Sequence, residues 1–335
     1  YPFASETITS GIREATMTGK PYPIKGWLVY ATNLLQALPS RAEAIRAIQG
    51  LDLMVVVDTL PSTIAGWADV VLPETTYLER YDDLNVELFR EPFVALRQPV
   101  VPPPDDQKPN WWIARELATR LGLEAYYPWK HVEEYLDFRL KAAGHSLAVL
   151  KQQGLGKGPK QPLYFEDGVA PEFATPTGKV EFYSTQLADA GFDPIPRYQR
   201  PAEGPPGSFR LLYGRAPVHT FSRTQTNPIL RDAMSENEVW VNATVGARLG
   251  LASGDYVTLR NQDGVVSNRV KARVTEAIRP ECVYMVHGFG HTSKGLRGAY
   301  LRGASDSQLI TRYATDPLMG GTGTNVNFVT IERGA

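Results

Sequence analysis

Apolar positions in this chain fall into two textures. Up to about residue 75, short apolar runs alternate with a helical period. Trp27–Ala31 is apolar at successive positions, as expected of a strand buried on both faces. Pro39 to Ile48 has a helical period that offers Ala42, Ile45, Ala47 and Ile48 to one face, with Pro39-Ser40 as its start. Leu51–Val57 reads as a second buried strand, Thr63–Ala68 as a short helix or turn, and Val70–Pro73 as a third strand stopped by proline. A short helix around Ile12–Met17 precedes them. The β-α-β-α-β alternation predicts a parallel sheet with helices on its faces. Right-handed crossovers gather the strand C-termini on one edge, where open α/β sheets bind ligands. Those ends carry Thr32-Asn33, Asp58-Thr59 and Pro73-Glu74.

The middle of the chain reads differently. Pro99–Pro109 is a linker, Asn110–Leu121 an amphipathic helix capped by Asn110 and closed by Gly122, and His131–Ala143 a second helix closed by Gly144. Gln152–Gln161 is loose, Thr175–Tyr183 is a turn with a short strand, and Pro194–Gly207 is a second linker. From Phe209 short strands recur about every ten residues: Arg210–Tyr213, Glu238–Val241, Tyr256–Asn261, Val265–Val274, Cys282–Val286 and Asn327–Glu332. Asp263-Gly264 supplies a hairpin turn, and Ala243–Leu249 is the one helix. The expected fold class is an α/β parallel-sheet region with a helical connector over 1–205, followed by an all-β barrel or sandwich over 206–335.

Composition narrows the function classes. Lys+Arg (35) and Asp+Glu (36) cancel, so nucleic acid is not the default partner. The single cysteine, Cys282, excludes a disulfide framework and a Cys-rich iron–sulfur site within these residues, and its apolar strand context reads as a buried inert thiol. The chain starts at Tyr1 rather than Met, which points to processing or to a piece of something longer.

Five segments concentrate chemistry. Asp58 at a strand end can accept two hydrogen bonds from the N–H edge of guanine, while Asn33 can hold a ribose or phosphate; equally, both can cap turns. No G-x-G-x-x-G opens the first helix, so the common dinucleotide fingerprint is missing. Asp69 and Glu79, around Val70–Leu72, suit structural acceptors for loop amides. Gly214 and the following Arg215, His219, Thr220, Ser222, Arg223 and Thr224 form a donor-rich loop without carboxylates between them, suited to an anion or a polar cofactor. In His287-Gly-Phe-Gly-His291 the glycines argue against a helical metal site and for close backbone approach to a ligand. The Gly-rich run from Asp316 to Asn327 can wrap a ligand or be a flexible loop.

Taken in order, these segments resemble the C-terminal portion of the dimethyl sulfoxide reductase family of molybdopterin oxidoreductases. The resemblance rests on Asp58-Thr59 with the Ala68–Glu74 run and Glu79, on Gly214-Arg215 with His219–Thr224, on the Leu251–Val257 segment, and on Thr175–Glu181. It implies a molybdenum (or tungsten) bis(molybdopterin guanine dinucleotide) cofactor. Asp58 would lie on guanine, with Thr32, Asn33 and Thr59 near the ribose and phosphates. It also implies a six-stranded double-psi-type barrel, with Gly214, Arg215, His219, Thr220, Ser222, Arg223 and Thr224 against the pterin, and His287 and Asn325 in later contact loops. Where many relatives carry an asparagine ahead of the last loop, this chain has Ser307.

The overall texture is most similar to polysulfide and thiosulfate reductase catalytic subunits; formate dehydrogenases and nitrate reductases share the cofactor motifs. By the same resemblance, the four-cysteine 4Fe-4S motif and the metal ligand belong to an N-terminal part not in this chain, so catalytic residues are unassigned and the chain is not a complete enzyme. The implied partners are that N-terminal remainder, an iron–sulfur electron-transfer subunit and a membrane-anchor subunit, in the periplasm. Two other classes compete: a non-enzymatic double-psi barrel binding module, and an NAD-linked dehydrogenase on the α/β half.

Overall fold

The computed structural model describes residues 1–5, 8–87, 89–104, 106–162 and 167–333, so Asp105 of the expected linker lies outside the described residues. By contact the chain divides into Tyr1–Leu72 with Gln199–Ala335, and Pro73–Tyr198. The division follows packing rather than chain order: the N-terminal sheet and the C-terminal barrel share one compact unit.

In that first unit, α1 (Thr9–Thr18) ends at Gly19 in the left-handed region, φ 71°. β1 (Gly26–Tyr30) runs parallel to β2 (Leu53–Asp58), and β3 (Val70–Pro73) completes a sheet of order β1-β2-β3. Between β1 and β2 lie α2 (Leu34–Ala37), which periodicity did not reveal, and α3 (Arg41–Gln49). The α3 face turned inward is Ala44, Ala47 and Ile48, with Ala42 exposed. Trp27, Val29, Met54 and Val56 pack with Leu35, Ala44, Ala47, Ile48 and Ile64 into one core.

β1 is not buried on both faces. Leu28 (57%) and Tyr30 (43%) are exposed between the buried Trp27 and Val29, and Val70 and Val71 of β3 are exposed as well. An unbroken apolar run states how much surface a strand offers, but not that both of its faces are covered.

The second unit holds β4 (Asn85–Glu87), β5 (Phe93–Ala95), α4 (Asn110–Arg120), α5 (Val132–Ala142), α6 (Leu147–Gln153), β6 (Leu155–Lys157) and α7 (Thr185–Asp189). β4, β5 and β6 form an antiparallel sheet, and Val94 and Leu96 pack on Leu136, Leu140, Leu147 and Leu150. β6 occupies part of the stretch expected to be loose. Thr175–Gly178 is a turn, closed by Gly178 N–H on Thr175 O at 3.0 Å, and no strand follows it. Pro109, not Asn110, caps α4.

The chain then returns to the first unit and closes a six-stranded barrel. Its elements are β7 (Phe209–Gly214), α8 (Pro228–Ala233), β8 (Glu238–Asn242), α9 (Ala243–Leu249), β9 (Tyr256–Asn261), β10 (Val270–Thr275), β11 (Cys282–Val286), α10 (Asp306–Leu309), β12 (Ala314–Thr315), β13 (Thr322–Gly323) and β14 (Phe328–Arg333). The order round the barrel is β10-β8-β11-β7-β14-β9. The pairs β10–β8 and β11–β7 are parallel; the others are antiparallel. Alternate residues point inward, so Leu211, Val239, Val241, Val257, Leu259, Val270, Ala272, Val283, Met285 and Val329 fill the interior. Each such valine or leucine contributes about 1.5–3 kcal/mol of burial. β10 starts only at Val270, because Ser267 turns inward to bond Leu259 N–H (3.0 Å) and breaks the expected strand from Val265. The Gly-rich run after Asp316 is folded back as the β12–β13 hairpin.

Candidate functional site

Parallel strands deliver loops at one end, and two such deliveries meet in the first unit. β1 ends in Ala31-Thr32-Asn33 and β2 in Asp58-Thr59. β7 ends at Gly214, and its parallel neighbour β11 leads into His287, whose backbone N–H donates to Gly214 O at 2.8 Å. The loop after β7 reaches the end of β1: Arg223 Nη2 donates to Ala31 O at 2.9 Å. The loop after β11 reaches the end of β2, where Ser293 Oγ donates to Pro61 O at 2.6 Å. Arg41 Nη2 donates to Thr292 Oγ1 at 2.9 Å in the same seam. Asp58 and Arg215 thus belong to one connected set of loops.

Each expected residue has a definite state. Asp58 Oδ2 accepts from Ser62 Oγ at 2.6 Å and Oδ1 from Leu60 N–H at 3.3 Å, so the carboxylate braces its own turn. Each oxygen keeps lone-pair capacity for another donor. Thr32 and Thr59 are half-buried beside it. Asn33 stands ahead of α2 without capping it, and both ends of its side-chain amide are buried with no hydrogen-bond partner. Such an orphaned amide is costly unless a further group satisfies it.

On the barrel side Arg215 and Arg223 are exposed, and the Arg215 guanidinium lies 4.4 Å over the ring of Phe221. Phe221 holds a left-handed φ of 46°. Thr220 is exposed and Ser222 half-buried. His219 is committed internally: it is buried, with Nδ1 3.1 Å from Thr224 Oγ1 and Nε2 2.8 Å from Met234 O. Thr224 Oγ1 also accepts from Thr220 N–H at 2.9 Å. His219 and Thr224 therefore shape the loop rather than offer free donors. Asn325 is exposed, next to Thr324, whose hydroxyl is 2.7 Å from Tyr213 Oη.

The glycines of the His287–His291 run do approach a backbone closely, but it is the protein's own. A Cβ on Gly288 would stand 2.1 Å from Phe221 O, and one on Gly290 2.5 Å from Ser305 N. Cys282 is half-buried rather than buried, and burial, then the charge of Glu281, pushes its thiol up. Glu79 accepts from a loop amide as expected, Thr76 N–H at 2.7 Å, whereas Asp69 accepts from an amide of strand β2, Met54 N–H at 2.7 Å.

Several supporting residues carried no sequence signal, Ser307 excepted. Asn237, fully buried, donates to Val286 O (2.8 Å) and Ala304 O (2.9 Å) and accepts from Ala304 N–H (3.0 Å). Ser307 is buried with Ser305, their hydroxyls 2.8 Å apart, and both reach Gln36 Oε1 of α2. Asp306, between them, contacts His287.

Two family models match this chain: Molybdopterin oxidoreductase over residues 5–120 and Molydopterin dinucleotide binding domain over residues 209–330. The second match and the first part of the other, up to Leu72, carry the loops that meet in the first unit. The chain belongs to the molybdopterin oxidoreductase family. Molybdopterin oxidoreductase relatives include the thiosulfate reductase molybdopterin-containing subunit of Salmonella typhimurium, 32% identical over 96% of this chain and 45% of that protein. The acetylene hydratase of Syntrophotalea acetylenica is 32% identical over 75% of this chain and 35% of its own length, and a dimethyl sulfoxide reductase of Escherichia coli is 25% identical over 93% and 42%. A solved structure of acetylene hydratase from Pelobacter acetylenicus superposes with a TM-score of 0.78 at 26% identity, covering 97% of this chain and 46% of that one. The chain spans less than half the length of these relatives.

The residues present suit a molybdenum–pterin dinucleotide. Its phosphates and dithiolenes are anionic, and the exposed Arg215 and Arg223 with the Thr220 hydroxyl supply cationic and neutral donors. Asn33 supplies an unpartnered amide at the other cluster.

Proposed function

We propose that this chain holds one molybdenum bis(molybdopterin guanine dinucleotide) group across both loop clusters. Asp58 accepts the guanine N–H edge. Thr32, Asn33 and Thr59 take the ribose and phosphates. Arg215, Ser222, Arg223 and Thr220, with His287 and Asn325, surround a pterin. The observation that carries this reading is the Arg223–Ala31 bond at 2.9 Å, which ties the donor-rich barrel loop to the strand edge bearing Asn33 and Asp58. When bound, the cofactor supplies two-electron chemistry at its metal. The work of this chain is to position it, to offset its negative charge with Arg215 and Arg223, and to select guanine with Asp58.

For the whole enzyme we propose reduction of thiosulfate or polysulfide. With thiosulfate, two electrons and two protons break the sulfur–sulfur bond and give hydrosulfide and bisulfite. The match to a thiosulfate reductase subunit over 96% of this chain supports this reading. The match to acetylene hydratase favours a second one, addition of water to a triple bond without net electron transfer. On the first reading the 4Fe-4S cluster and the metal ligand lie outside these 335 residues, and electrons arrive through iron–sulfur and membrane-anchor partner subunits on the periplasmic side.

Two measurements on the full-length protein test this. Purified enzyme should contain molybdenum and release guanine nucleotide in acid; Asp58→Asn removes a charged acceptor worth about 1.5–3 kcal/mol and should weaken retention about 10–100-fold. Unchanged retention in that variant removes Asp58 from guanine. Reduced viologen should be oxidised on adding thiosulfate or polysulfide. Inertness toward both, with acetylene hydrated, would select the second reading.

A further inference from the structure

The chain after β11 holds a charge pair with one end at the proposed cofactor site and the other buried at the start of α10. His287 leaves the barrel beside Arg215, and its ring lies against Tyr213 and Phe221, centroids 6.0 and 6.2 Å away. The Arg215 guanidinium covers the same Phe221 ring at 4.4 Å. His287 Nδ1 is 2.8 Å from Oδ2 of Asp306, at the start of α10, whose side chain is 0% exposed against 15% for His287. The second oxygen, Oδ1, is buried without a hydrogen-bond partner. Nε2 of His287 has no hydrogen-bond partner among the described residues.

We propose that Asp306 is a positioning residue: by accepting Nδ1–H it fixes the orientation of the His287 ring and holds it as the imidazolium, so that Nε2–H joins Arg215 in donating to an anionic group of the bound dinucleotide cofactor. This rests on the reading that these loops hold that cofactor. A buried ion pair is a poor device for stability, because a well-packed apolar pair in the same volume does as well. It is a good device for aiming an imidazole, the role that outer carboxylates serve behind histidines at many sites. The tilted Tyr213 ring and the edge-on Phe221 ring leave the imidazole little freedom to turn away. Burial pulls the His287 pKa down, but the hydrogen bond and charge of Asp306 outweigh it and raise it above the ordinary imidazole value. The titratable and charged groups around the ring are Asp306 on α10, Tyr213 on β7, Arg215 beyond it, and Tyr284 on β11, which also feels the Asp306 charge.

The test uses full-length protein loaded with its cofactor, and reads the rate at which guanine nucleotide and molybdenum are released on dilution between about pH 6 and 9. Wild type should release faster as His287 loses its proton. Asp306→Asn keeps an acceptor for Nδ1 but not the charge; its release should be about tenfold faster near neutral pH, with the rise moved to lower pH. His287→Gln should release fast at every pH. A circular-dichroism melt confirms that each variant is folded, and the near-isosteric Asp306→Asn decides the matter if Asp306→Ala is not. If His287→Gln alters release while Asp306→Asn follows wild type throughout, the positioning role is overturned and the cofactor contact stands. If His287→Gln releases like wild type, the inference falls altogether. Wild-type protein without molybdenum or guanine nucleotide would instead remove the underlying site reading before any variant is made.

Discussion

His291 makes the fold sensitive to acid in a calculable way. The side chain is 1% exposed and neither ring nitrogen has a hydrogen-bond partner. Burial first, with the nearby positive Arg41 adding to it, lowers its pKa from 6.5 to about 4; the Gly288 backbone, close but not in bonding geometry, opposes this only in part. The folded protein therefore keeps His291 neutral where an unfolded chain protonates it. Stability from this residue is present above pH 6.5 and is lost as pH falls through about 4. The whole gap is worth about 3 kcal/mol, of which about 2 kcal/mol is gone by pH 5. His287 runs the other way: its raised value stabilises the fold at low pH, and that contribution is lost as pH rises through it. A comparison of slopes isolates His291. Urea denaturation of wild type and His291→Gln at pH 7.5 and 5 should show wild type losing about 2 kcal/mol more than the variant over that interval. The absolute stability of the variant does not matter, because only the pH-dependent part is compared. Parallel losses in the two proteins would show that His291 is not held neutral by burial, and would refute the reasoning.

Two further substitutions probe the supports of the site. Gly288→Ala puts a methyl 2.1 Å from Phe221 O at a φ of 97°, so the Phe221 loop must move; cofactor retention should fall and the melting temperature drop, and a variant that keeps both would show that the loop packs less tightly than this. Asn237→Ala removes three hydrogen bonds at a fully buried position and strands groups on Val286 and Ala304, a loss of about 2–4 kcal/mol in denaturant titration, against less than about 0.5 kcal/mol if the clamp is redundant.

The fold was largely legible because its signals are local. Tyr256–Asn261 and Cys282–Val286 alternate or run apolar within six residues, and Asp263-Gly264 marks the hairpin between β9 and β10. Period alone also found β2 and α3, to within about two residues at each end. What it could not find was coverage. Leu28 and Tyr30 are as apolar as Trp27 and Val29, yet only the latter face the helices. Nor could it locate α2, four residues long and held by Asn33 O accepting from Gln36 and Ala37 N–H, both at 2.9 Å.

The site divides along the same line. Residue types in Gly214–Thr224 announced a donor-rich loop, but their division of labour depends on partners that no local window contains. Thr224 turns to His219, five residues away, and His219 to Met234, which removes two donors from the ligand side. Arg223 spans 192 positions to Ala31, and Ser305 and Ser307 span 269 and 271 to Gln36. These long links do what local propensity cannot: they make the ends of β1 and β2 and the loops after β7 and β11 one connected surface, on which the proposed anionic cofactor would meet donors already in place. That is the condition for binding without a heavy ordering cost. It also bears on two of the four non-glycine residues with left-handed φ among the described residues, Phe221 at 46° and Ala31 at 52°, which sit where the two segments touch. Strain there is tolerated because contacts from both segments over-determine the backbone.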